Sequence, residues 1–214
     1  MAKLLRDEKG LYLAGDGMAL RADLAHMLPR LRPDRLSREL LVRAARLHGV
    51  EHPRAVDATA GLGDDTLLLA AAGFEVTLFE RNATIAALLA DALERAATDD
   101  TLGPIVARMH LVEGDSIQGM EGMAALEEQP DVVLLDPMFP QKQKSAASRK
   151  KAQLLQSLEE PCADEQALLD AAIAAGPRKV VVKRPLKGAC LANMKPSYDL
   201  RGKAIRYDVL VLPR

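Results

Sequence analysis

The stretch 54-RAVDATAGLGDDTLLLAAAGFEVTLFE-80 reads as a strand, a glycine-containing turn, a helix and a second strand. RAVDATA (54–60) has the apolar, pleat-compatible character of a strand. Asp65 to Ala72 has a helical composition and stops at Gly73, and FEVTLFE (74–80) is extended again. A strand, helix and strand in this order form one βαβ unit, and the rest of the chain repeats the theme. Asn82 to Ala97 is a long Ala/Leu helix with Asn82 as its cap. MHLVEGD (109–115) and DVVLLD (131–136) are strands, DEQALLDAAIAA (164–175) is a helix ended by Gly176, and RKVVVKRP (178–185) and AIRYDVLVL (204–212) are strands. The unbroken apolar runs VVLL and VVV suit strands covered on both faces. The expected fold is therefore α/β: a doubly wound, mostly parallel, seven-stranded Rossmann-like sheet.

Upstream the pattern is less regular. Residues 11–28 carry Gly15-Asp16-Gly17 between two apolar stretches, as in a hairpin or a strand followed by a short segment. Residues 34–48 place Leu36, Leu40, Leu41, Ala44 and Leu47 at helical spacing, with Asp34 as cap, Gly49 as stop, and Arg35, Arg38, Arg43 and Arg46 on the opposite face. Residues 1–50 are expected to be an N-terminal extension whose arginines are a candidate contact for a polyanion, with 51–214 forming the α/β domain.

The totals set limits. With 214 residues, 49% of them hydrophobic, the chain can bury one sizeable core. A balance of 29 basic and 30 acidic residues excludes a uniformly basic coat but not a local basic patch. Cys162 and Cys190 match no zinc or redox spacing, and His26, His48, His52 and His110 form no ligand cluster, so no metal is expected. No run approaches the roughly 18 apolar residues of a membrane span, and the N-terminus has no signal-peptide pattern. The expectation is a soluble, cytoplasmic protein without a membrane partner. Oligomeric state is not legible.

In doubly wound sheets, ligands sit at the carboxyl ends of the strands. The first tip, 57-DATAGLGDDT-66, offers Gly61 and Gly63, where a ligand can approach the backbone. Thr66 stands where a dinucleotide fingerprint has its third glycine, and Asp57 would repel a pyrophosphate but attract an ammonium. A cofactor with an amino-acid end, S-adenosylmethionine (SAM), fits better. Glu80, at the second tip, can accept from two ribose hydroxyls, each contact worth about 1.5–3 kcal/mol. Asp115 and Ser116, at the third, can meet an adenine amino group, or simply cap a helix.

The fourth tip is 131-DVVLLDPMFPQKQKSA-146. An amino group on an aromatic ring is a poor nucleophile because its lone pair is delocalised. The Asp136 carboxylate and the Pro137 carbonyl can take its two N–H bonds and let the nitrogen pyramidalise. Phe139, one of three Phe in a chain with no Trp, can stack on the base. Lys142, Lys144, Arg149, Lys150 and Lys151 follow at once, and Lys183, Arg184 and Lys187 leave another tip on the same rim. They are candidate phosphate contacts.

Taken together, D-A-T-A-G-L-G, F-E-R-N, L-D-P-M-F-P-Q-K-Q-K-S-A and V-V-V-K-R-P resemble the RsmJ family. These are bacterial class I SAM-dependent methyltransferases that modify the exocyclic amino group (N2) of a guanosine in 16S ribosomal RNA. The resemblance runs from about Arg54 to Pro185. It implies SAM as cofactor against Asp64, Asp65, Glu80, Arg81, Asp115, Ser116 and Asp136, and the target base at Asp136 to Pro140. It also implies 16S RNA or the small ribosomal subunit as partner. One departure is Asp64, where the family pattern has a basic residue. The rival readings are an amino-methyltransferase acting on another RNA or DNA base or on a protein amide, a nucleotide-dependent oxidoreductase, and a non-catalytic RNA-binding protein.

Overall fold

In the computed structural model, which describes residues 2–15, 17–126, 129–137, 158 and 164–213, the chain opens with a small antiparallel sheet. Its strands are β1 (Lys3–Asp7), β2 (Gly10–Gly15) and β3 (Met18–Leu20), joined in chain order. The expected hairpin is β2–β3. Strand β1 was not foreseen, because all five of its residues are exposed and it has no apolar alternation to read.

Three short helices follow: α1 (Leu28–Leu31), α2 (Pro33–Leu36) and α3 (Leu40–Ala45). The single helix expected over 34–48 is thus two pieces. Glu39 adopts an extended conformation (φ −59°, ψ 131°), and both its carboxylate oxygens accept from Arg30 at 2.8 Å. A bidentate pair of this kind fixes the break. Asp34 does not cap α2; it lies 3.5 Å from Arg32 instead.

The main sheet is built from β4 (Arg54–Asp57), α4 (Asp64–Ala71), β5 (Glu75–Glu80), α5 (Ala83–Ala96), α6 (Gly103–Val106), β6 (Met109–Glu113), α7 (Ser116–Ala125), β7 (Val132–Leu135), α8 (Glu165–Ala174), β8 (Lys179–Pro185), β9 (Tyr198–Arg201) and β10 (Ile205–Val211). Its seven strands run in the order β6-β5-β4-β7-β8-β10-β9. All neighbouring pairs up to β8 are parallel, and β10 is antiparallel to both β8 and β9. This is the expected mostly parallel, seven-stranded sheet. The chain builds outward from β4 to β6, then returns to place β7 on the other side of β4. The switch point therefore lies between β4 and β7.

Strand alternation divides the interior in two. Ala55, Val76, Leu78, Val132, Leu134 and Val181 face one layer with α3, α4 and α5; Val56, Phe79, Val133, Leu135, Val180 and Val182 face the other, with α7 and α8. All four β7 side chains have no solvent exposure. Each such side chain stabilises the fold by about 1.5–3 kcal/mol relative to exposure. The N-terminal segment shares the first layer: Leu13, Leu20, Leu24 and Met27 pack with Leu88 and Leu89 of α5. An ion-pair cluster reinforces the join, with Arg6 at 3.1 Å and Arg95 at 2.8 Å from the buried Asp91 carboxylate. No described helix is long and apolar enough to cross a membrane.

Candidate active site

The carboxyl ends of β4, β5, β6 and β7 come together because these strands are parallel and adjacent. The residues that follow each strand line one cavity of about 360 Å³. Ala58, Thr59 and Gly61 come after β4; Glu80 ends β5, and Arg81 and Asn82 follow it. Gly114, Asp115 and Ser116 come after β6, and Asp136 and Pro137 after β7. Phe79, Ile117, Leu158 and Leu168 supply apolar wall. A partly enclosed, mixed-polarity pocket at the switch point is the ordinary ligand site of this architecture.

The turn after β4 is made by its glycines. Gly61 has φ +53° and Gly63 φ +85°, the left-handed region where a side chain is strained. Nothing stands within 4 Å of where a Gly61 Cβ would be, which leaves the backbone open on the cavity side. A Cβ on Gly63 would lie 2.8 Å from Leu89 Cδ1, so that glycine serves close packing on α5.

Glu80 braces this turn. Its Oε2 accepts from the Gly61 amide at 3.1 Å and its Oε1 from the Asn82 amide at 2.8 Å. Burial pushes its pKa above the usual range, while the Asn82 and Gly61 amides work in the opposite direction. Each oxygen retains capacity for a further donor. Asp115 caps α7 by accepting from the Ile117 and Gln118 amides at 2.8 and 3.2 Å through Oδ1. Its capping role and its place on the cavity wall are compatible, since one oxygen makes both capping bonds.

At the β7 tip, the Asp136 amide donates to Thr59 Oγ1 at 2.7 Å, and Asp136 Oδ2 lies 2.8 Å from Lys183 Nζ. The same ammonium lies 2.7 Å from Asp65 Oδ2. Burial raises the Asp136 pKa despite the attraction of Lys183. For Lys183, burial works against the charge, but the Asp65 and Asp136 carboxylates outweigh it and raise the pKa. Thr59 was not singled out in the sequence; its only signal was a hydroxyl two residues past Asp57.

Several sequence candidates stand elsewhere than expected. Asp57 is 2% exposed, and its carboxylate accepts from the Thr59 amide at 3.1 Å and the Thr66 hydroxyl at 2.5 Å. It holds the turn from behind and does not line the cavity, so its reading as a partner for a ligand ammonium is corrected. Asp64 also lies off the wall, with its Oδ2 3.1 Å from His26 Nε2, and Asp65 is turned to Lys183. Lys183, expected to meet RNA phosphate, is engaged by two carboxylates. Arg184, given the same role, is 3% exposed; its Nε donates to the Ala189 carbonyl at 2.7 Å and its Nη1 lies 3.6 Å from Glu165. A side chain so enclosed has no surface to offer a phosphate. Phe139, Lys142, Lys144, Arg149 and Lys150 lie outside the described residues, as does Cys162. Among the described residues, no group of three or more His, Cys, Asp or Glu is placed to hold a metal.

Residues 10–212 match the model of a family described as "Putative SAM-dependent methyltransferase". The curated relatives include two proteins named ribosomal RNA small subunit methyltransferase J. One, from Pseudomonas fluorescens, is 47% identical over 173 residues, covering 81% of this chain and 66% of the relative. The other, from Thioalkalivibrio sulfidiphilus, is 47% identical over 178 residues, covering 82% and 69%.

The chain belongs to the RsmJ family.

It spans about two thirds of the length of these RsmJ relatives. Among solved structures, a SAM-dependent methyltransferase from Neisseria gonorrhoeae matches with a TM-score of 0.79 and 32% identity, over 98% of this chain and 82% of the other. The Rossmann-like methyltransferase fold and SAM as the RsmJ cofactor follow. The residues present fit that cofactor: the backbone at Gly61 is open, the Glu80 and Asp115 carboxylates can accept hydroxyl and amino protons, and the remaining wall is apolar enough for a ring.

Proposed function

We propose that this protein methylates the exocyclic amino group of a guanosine in 16S ribosomal RNA, acting in the cytoplasm on the RNA or on the small ribosomal subunit. The observation that carries the reading is the position of Asp136 on the wall of the cavity that Glu80 and Asp115 also line. An acceptor for an amine thus stands beside a pocket suited to SAM. The RNA comes from the names of the relatives and from the D-P-M-F-P tip with its lysines.

Glu80 would hold the ribose hydroxyls of SAM, Asp115 and Ser116 its adenine edge, and the open backbone at Gly61 its amino-acid end. Bound SAM supplies an electrophilic methyl group. Asp136 and the Pro137 carbonyl accept the two N–H bonds of the target amine and turn its lone pair out of conjugation. Methyl transfer would break the carbon–sulfur bond of SAM, with the bonding pair staying on sulfur to leave S-adenosylhomocysteine; the target nitrogen would give one proton to solvent, and the Asp136 carboxylate beside it would stabilise the positive charge in transit. Catalysis then consists of positioning and preorganised electrostatics. Phe139 offers a stacking face for the base, and Lys142, Lys144, Arg149 and Lys150 hold its phosphates.

The test is incubation with methyl-labelled SAM and, separately, small subunits, protein-free 16S RNA and DNA. Mass mapping then locates the label. Label at a guanosine amino group of 16S RNA supports the proposal. Label in DNA alone, or on another base, overturns the substrate. RNA binding without transfer under any condition overturns the activity. A thermal shift with NAD(P) but not SAM overturns the cofactor.

A further inference from the structure

We infer that Lys183 is a positioning residue for methyl transfer: clamped between Asp65 and Asp136, it keeps Asp136 ionised and aimed into the cavity. This rests on the proposed role of Asp136 and deepens it.

The geometry is specific. Lys183 ends up at the tip of β8 because β8 lies beside β7 in parallel register, with Leu135 opposite Val182. Its Nζ stands 2.7 Å from Asp65 Oδ2 in the first turn of α4 and 2.8 Å from Asp136 Oδ2 after β7. Lys183 is three-quarters covered, so solvent screens these pairs only in part. The Asp136 backbone is anchored separately through its amide to Thr59 Oγ1. With the amide and Oδ2 both held, the carboxylate plane is set, and Oδ1 is the oxygen left to accept from the target amine.

The charges facing Asp136 explain why a cation is needed. Asp57 approaches from β4 and Asp65 from α4, both carboxylic. Lys183 and Arg184 come from β8; Tyr207, from β10, faces Lys183, and Arg30 lies beyond Tyr207. Burial and the neighbouring acid both favour a protonated Asp136, and a protonated carboxyl presents a donor where the reaction needs an acceptor. Among the described residues, Lys183 is the nearest opposing charge. Asp65, Lys183 and Asp136 together carry a net charge of −1, which suits a site that must receive a cationic methyl donor and a nitrogen that turns positive. A lysine with only Asp136 as partner would cancel that charge.

The test uses carbon-13 NMR of the carboxyl groups in the whole protein without substrate, with the Asp136 signal identified by its loss in Asp136→Asn. In Lys183→Met the Asp136 midpoint should rise by about one pH unit or more. kcat should fall at pH values below the midpoint, by about tenfold per unit of rise, and recover as the pH is raised, while SAM affinity changes less than about threefold. Lys183→Arg, which keeps the cation, should restore most of kcat at those pH values. An unmoved midpoint, or a kcat loss that is the same at every pH, would show Lys183 to be a structural brace only. Asp65→Asn provides an independent route should Lys183→Met fail to fold. It frees Lys183 for Asp136 and removes a like charge, so the Asp136 midpoint should drop, and a constant or higher midpoint overturns the inference. If the unmodified protein transfers no methyl to RNA, the proposed function fails, yet the NMR midpoints still decide what Lys183 does to Asp136.

Discussion

Asp57→Asn offers a quantitative check on the site's electrostatics. Asp57 is buried behind the glycine turn, with the Thr59 amide and the Thr66 hydroxyl on its carboxylate. Burial pushes its pKa up to about 7, against the hydrogen bonds from Thr66 and Thr59 and with a further push from Asp65 and Asp136. In the unfolded chain the same group titrates near 3.9. The folded protein therefore retains a proton that the unfolded chain has lost. The stability this group confers is complete below about pH 4 and declines as pH rises through about 7. From pH 5 to pH 8 roughly two units of that difference are traversed, or about 2–3 kcal/mol at 1.36 kcal/mol per unit. Asparagine keeps the shape but cannot titrate. Urea denaturation of both proteins at pH 5, 6, 7 and 8 should show the unmodified protein losing about 2–3 kcal/mol more than the variant across the series. Any fixed cost of the amide shifts the whole curve and leaves the comparison intact. Two curves that run parallel to within about 0.5 kcal/mol would refute the reasoning, since Asp57 would then be ionised in the fold throughout.

Asp136→Ala should lower methyl transfer by about 10²–10³-fold, as loss of a transition-state partner does, with a smaller fall in SAM affinity by calorimetry. Near-normal turnover would remove Asp136 from the reaction. Glu80→Ala should weaken SAM binding by about 10–100-fold for each charge-assisted contact of about 1.5–3 kcal/mol that disappears; an unchanged Kd would place the ribose elsewhere. Gly63→Ala should cost about 1–3 kcal/mol in urea melts, from its left-handed backbone and the contact with Leu89. Gly61→Ala has strain but no clash, so its main effect should be on SAM affinity.

Legibility followed the range of the interactions. The helices over 82–97 and 164–175 and six of the seven strands of the main sheet were readable because their stretches of sequence bear the cap, period and stop signals of their own geometry. Asn82 does cap α5, accepting from the Thr84 and Ile85 amides. The break between α2 and α3 was not readable, since it depends on Arg30 reaching Glu39 across the turn. Strand β9 was missed, as its residues take their order from pairing with β10. At the site, sequence placed Glu80, Asp115 and Asp136 at strand tips, which parallel pairing turns into one cavity. It did not show that Asp57 sits behind the turn, that Lys183 is engaged by two carboxylates or that Arg184 is enclosed, because the type of a side chain does not say where its lone pairs or protons are spent.

By itself, then, the order of residues determined the kind of most main elements, the parallel sheet that alternating units require, and the tips where ligands bind. These depend on contacts within a few residues. Tertiary structure alone decided which carboxylate faces the cavity and which braces it. Asp57 ends one buried strand and Asp136 follows another, but the first meets Thr66 and the second meets Lys183 from a strand 47 positions further along the chain. Charge and burial are set by such long-range neighbours, and in a low-dielectric interior they govern whether an acid donates or accepts.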